Sequence, residues 1–128
     1  VRIIVFVISL LLSGICHAVD AYQWCQVQID NLRELTTYPI ENLNSYKRSL
    51  ANASTVEELD ELTGKEYSKM ILMLQQHQNV GREEAEKKTL EVIKSMEIKT
   101  LSMAIQFHGL SDEQTWSLLF DKCVQENQ

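Results

Sequence analysis

The chain has 128 residues, with 12 Lys and Arg against 18 Asp and Glu and a formal net charge of −6. That sign argues against nucleic acid or an anionic membrane surface as partner, since both call for a basic footprint. One Pro, four Gly and abundant Glu, Leu, Lys, Gln and Met point to helices throughout.

The first element is the apolar run IIVFVISLLL at residues 3–12. Ten residues fall short of the roughly 20 a spanning helix needs, and suit the core of a secretory signal peptide. Arg2 gives the positive start, and Cys16-His17-Ala18 places small residues three and one before a cut. A signal peptide over residues 1–18 is therefore expected, with cleavage after Ala18. The rival, a lipoprotein retaining Cys16, is disfavoured by the large, branched Ile15 just before it. No stop-transfer run follows, so no stable membrane anchor is expected after cleavage. Val1 in place of Met matches a GUG start read literally and leans towards a bacterial chain, hence the periplasm or the extracellular space.

Residues 19–128 read as a single helical domain carrying 11 Lys and Arg and 18 Asp and Glu, a formal charge of −7. Two cysteines remain, Cys25 and Cys123, in a compartment where disulfides persist. A bridge between them would enclose 97 residues.

The periodicity predicts an all-α bundle of four to five helices, at about 20–36, 40–51, 56–78, 82–107 and 112–125. Asp20 can cap the first, whose stripe is Tyr22, Cys25, Ile29, Leu32 and Leu35, spaced 3, 4, 3 and 3. Tyr38-Pro39 breaks the chain, and Pro39 suits the first turn of a second helix striped by Ile40, Leu43, Tyr46 and Leu50. Ser54 with Glu57, or Thr55 with Glu58, can form a capping box for the third helix. That helix carries Leu59, Leu62, Met70, Leu74 and His77, with a bend expected at Gly64. Its run Met70-Ile71-Leu72-Met73-Leu74 is expected to be buried on most sides. After the Asn79-Val80-Gly81 turn, Leu90, Ile93, Leu101 and Ala104 stripe a central fourth helix, widened by Ile98, Met103 and Ile105. Gly109 fits the turn that follows it. Ser111 with Gln114 is expected to cap the last helix, striped by Trp116, Leu119, Phe120 and Cys123. Each remaining cysteine thus lies on the inward stripe of a terminal helix, as a bridge closing the bundle requires.

The candidate partner-binding residues are the acidic starts of the third and fourth helices, Glu57, Glu58, Asp60, Glu61, Glu83, Glu84 and Glu86. The bland reading of such charges is compensation of the helix dipole; the sharper one is a face that docks on a basic protein. An alternative site is Met70, Met73 and His77 at i, i+3 and i+7, soft ligands suited to Cu(I), with Met96, Met103 and His108 on the next helix. Methionine is also an ordinary core filler, and neither a metal nor another cofactor is expected. No nucleophile elbow, HExxH, phosphate loop or CxxC is present, so no enzymatic activity is expected. Asn52-Ala53-Ser54 fits a glycosylation acceptor, a pattern common by chance.

The general plan, a signal peptide followed by about 110 helical residues and one disulfide, resembles several small periplasmic groups in size and architecture. They include immunity proteins against cell-wall-degrading toxins, phage-encoded lysozyme inhibitors and acid-stress chaperones. The expected function is a non-catalytic binding protein, an inhibitor or immunity protein for a basic envelope-acting enzyme. The alternatives are a helical binder of copper, haem or lipid, and an acid-activated periplasmic chaperone. A second copy of the chain is a further expected partner.

Overall fold

The computed structural model describes residues 20–128, so the expected signal peptide and its cleavage site lie outside the described residues. Six helices occur among them and no strand: α1 Ala21–Leu35, α2 Ile40–Asn52, α3 Val56–Thr63, α4 Ser68–Gln78, α5 Arg82–Gln106 and α6 Glu113–Glu126. None is long and apolar enough to cross a membrane.

The helical class agrees with the sequence pattern, but the count exceeds four to five because the expected helix 56–78 is two. The break has a local cause. Gly64 adopts φ +69°, in the left-handed region that favours glycine, and its N–H donates to Asp60 O at 2.8 Å. Thr63 then secures the corner with one hydroxyl. Its Oγ1 donates to Leu59 O at 2.9 Å and accepts from the Lys65 N–H at 3.3 Å and the Tyr67 O–H at 3.1 Å.

The long helix α5 is the axis on which α1, α2, α3 and α4 all pack. It buries Ala85, Thr89, Ile93, Glu97, Leu101 and Ala104, spaced 4, 4, 4, 4 and 3, which is one helical face. Helix α2 runs antiparallel to it. At one end Lys94 Nζ donates to Ala51 O at 2.9 Å and to Ala53 O at 2.6 Å; at the other, His108 Nε2 donates to Tyr38 O at 3.0 Å. Leu43, Tyr46 and Leu50 meet α5 between those two ties. Ile40, expected on the same stripe, stays exposed at the mouth of the helix.

The outer pair is α1 and α6, also antiparallel. A disulfide joins Cys25 to Cys123, with Cα atoms 5.9 Å apart, inside the range such bridges require. At the other end Arg33 pairs with Glu113. Cys25, Leu32 and Leu35 are buried as the stripe predicts. Tyr22 is not; it is 61% exposed, its ring standing edge-on to Phe120. Trp116 is the one residue α6 buries completely, its indole N–H donating to Leu110 O at 3.2 Å.

Two further expectations are corrected. The run Met70 to Leu74 is not buried on most sides: Ile71 is enclosed, whereas Leu72 is 52% exposed. The reason is that α4 packs chiefly on α5, and a helix with one neighbour buries one face. The cap of α6 is Asp112, not Ser111. The Asp112 carboxylate accepts from the Gln114 N–H at 3.0 Å and the Thr115 O–H at 2.8 Å, so the expected box one residue earlier does not form.

Candidate functional site

The acidic residues singled out from the sequence divide into those with a structural task and those without one. Thr55 Oγ1 accepts from the Glu58 N–H at 3.1 Å, and Glu58 Oε2 accepts from the Ser54 N–H at 2.8 Å. That is a capping box closed one residue early, and it occupies Glu58. Asp60 is half-buried and turned towards the junction between α3 and α4. Burial pushes its carboxyl up, the Tyr67 backbone N–H bonded to it pulls down, and Glu66 and Glu57 add a further upward push. On α5, Glu86 accepts from Arg82 at 2.9 Å and Glu84 lies 3.6 Å from Lys88, both as i,i+4 pairs.

Glu57, Glu61 and Glu83 are left: exposed, and without an ion pair among the described residues. Glu57 and Glu61 stand one turn apart on α3. Glu83 belongs elsewhere. The α2–α3 corner docks at Lys94, and Glu83 lies eleven residues back along α5, about 16 Å at 1.5 Å per residue. The seven residues therefore form two groups, four on α3 and three on α5, and Glu57 and Glu61 share the first.

The methionine and histidine set is not drawn together. Met70 and Met73 are half-buried on α4, and His77 is exposed in its last turn, beside the start of α5. His108 lies past the other end of α5, a 25-residue helix about 37 Å long, where it is tied to Tyr38. Met103 is exposed. Among the described residues no three His, Cys, Asp or Glu side chains gather in a way that could hold a metal ion.

A second polar centre lies inside the bundle, on residues the sequence pattern did not single out as a site. Glu97 sits on the buried face of α5 and is only 6% exposed. Around it stand Tyr46 of α2, and Tyr67 and Lys65 of the α3–α4 junction. Burial pushes the Glu97 carboxyl up to about 7, and the nearby Lys65 ammonium pulls it back. Burial likewise lowers the Lys65 ammonium and raises both phenols, Tyr67 to about 12. The Tyr46 hydroxyl donates to Leu62 O at 3.2 Å, so neither tyrosine is left without a partner. One signal was available: Glu97 lies four residues after Ile93 and four before Leu101, both on the predicted stripe, and so had to face inward.

Comparison with family models, with curated proteins and with solved structures yields no match to this chain.

Proposed function

We propose that the protein is a non-catalytic binding protein of an oxidising, extracytoplasmic compartment, an inhibitor or immunity-type protein that docks on a basic envelope-acting enzyme. The observation that carries this reading is the Glu57–Glu61 pair: two exposed carboxylates one turn apart, neither in an ion pair among the described residues. Like charges at i,i+4 repel, and a cationic surface laid over them relieves that repulsion while steering encounter. The disulfide supports the compartment, because such bridges persist where thiols are not kept reduced.

The rival reading, a ligand held between α4 and α5, has less support, because His77 is exposed and Met103 and His108 lie far along α5 from it. The test is the association rate with a basic cell-wall-cleaving enzyme, a lysozyme, measured by surface plasmon resonance across salt concentrations. The expected result is binding whose on-rate falls with salt and falls about tenfold or more in Glu57→Lys/Glu61→Lys. Absence of binding at every ionic strength, or an on-rate indifferent to the double substitution, overturns it.

A further inference from the structure

Glu97 is the one carboxylate among the described residues that is enclosed in the core. It lies beneath the corner between α3 and α4, where the three non-helical residues Lys65, Glu66 and Tyr67 follow Gly64. The helix before that corner, α3, has only eight residues, and Thr63 is the hub that fastens it.

The surroundings of Glu97 can be taken element by element. From the junction come Lys65 and Tyr67; from α2 comes Tyr46; from α3, Asp60 stands behind Tyr67. On α5 itself Lys94, one turn earlier, is committed to Ala51 O and Ala53 O. Among the described residues Lys65 is the charge that acts on Glu97, and none of α1 or α6 adds to it.

We propose that Glu97 is a pH-operated latch: when ionised it loosens the α3–α4 junction above it, and when protonated it lets the junction close. An ionised carboxylate in a low-dielectric site is costly, and a single ammonium at the rim offsets only part of that cost. Swinging the junction outward about Gly64 admits water to the carboxylate and removes the penalty. Neutralising the carboxyl removes it without movement.

The direction follows from linkage. Glu97 keeps its proton in the closed form up to about pH 7, against 4.5 for an unperturbed glutamate, so the closed form binds more protons in that interval. Closure is therefore fully favoured below the lower value and is lost as pH rises through the upper. Tenfold per pH unit over this interval gives an opening constant that rises by about two orders of magnitude.

Amide hydrogen exchange tests the latch. The Gly64 N–H, bonded to Asp60 O, and the Ile71 N–H, bonded to Tyr67 O, report on the junction; the Trp116 N–H, bonded to Asp112 O, is a remote control. Between pH 5 and 8 the protection factors at Gly64 and Ile71 should fall about a hundredfold while Trp116 stays constant, and Glu97→Gln should abolish the fall. Constant protection in the parent protein, an unchanged fall in Glu97→Gln, or an equal fall at Trp116 overturns the proposal. Should that variant not fold, the carboxyl carbon of Glu97 in the parent protein can be followed by NMR. A midpoint that coincides with the fall in protection at Gly64 and Ile71 supports the latch, and one near 4.5 overturns it.

Discussion

The guanidinium of Arg33 lies over the indole of Trp116, 5.4 Å from the ring centroid, while its two terminal nitrogens grip both oxygens of Glu113. One α1 side chain thus engages two positions on α6, one buried and one in water. The two contacts differ sharply in what they are worth. Trp116 is enclosed against Phe107 and the bundle core, and Trp116→Ala should cost about 3–5 kcal/mol. The exposed ion pair is screened by solvent, so Glu113→Gln should leave the urea midpoint unchanged within error. Urea unfolding of the two variants side by side checks the contrast.

Removing the bridge is the larger perturbation. A loop of this size contributes about 4 to 5 kcal/mol in the chain-entropy account. Cys25→Ser/Cys123→Ser should lower stability by up to that amount, a large share of the about 5–15 kcal/mol typical of a domain. The loss should appear first in α6, which packs mainly on α1 and buries Trp116 alone. Urea unfolding with and without reductant, followed by tryptophan emission, measures it.

The caps make a cleaner comparison. Thr55→Ala and Asp112→Ala should each cost about 1 kcal/mol, since each removes the acceptor for an otherwise unpaired helix-end N–H. Ser111→Ala should cost almost nothing, because Ser111 caps no helix. Thermal melts of the three variants decide it, and a costly Ser111→Ala would restore the cap read from the sequence.

Global stability should carry the signature of Glu97. The folded value, about 7, lies above the unperturbed 4.5, so the folded state holds the extra proton and stability declines as pH rises between the two. The decline should reach about 3 kcal/mol by pH 8, and Glu97→Gln should flatten it. Denaturant midpoints at pH 5, 6, 7 and 8 measure the slope. Loosening near pH 2, as the chaperone alternative requires, has to come from other groups, such as the 11 Lys and Arg of residues 19–128 left unopposed by carboxylates, because Glu97 is already neutral there.

Much of this architecture is legible in the sequence because it rests on one-dimensional signals. Cys25, Leu32 and Leu35 recur at helical spacing, Pro39 and Gly81 punctuate the chain, and two cysteines on inward stripes have few other uses. The departures share a physical origin in tertiary context. Gly64 is tolerated inside a helix or ends one, and the choice depends on whether Thr63 and Tyr67 find each other across the corner. Leu72 looks like core until α4 proves to have one principal neighbour. Ser111 and Asp112 are both good caps, and only the entry path of the chain selects between them. The candidate site was legible as charge but not as geometry. Position alone leaves open whether Glu57 or Glu58 closes the capping box and does not reveal that Asp60 turns inward, which leaves Glu57 and Glu61 as the exposed pair.

The bond between Cys25 and Cys123 converts almost the whole described chain into a covalent ring, with only short tails outside it. A protease that severs the backbone once, for instance after Lys65 at the corner of α3, opens that ring without dividing it. Both fragments stay tethered at the α1–α6 seam and remain free to re-dock. Two cuts within the ring are needed before any helix can drift away.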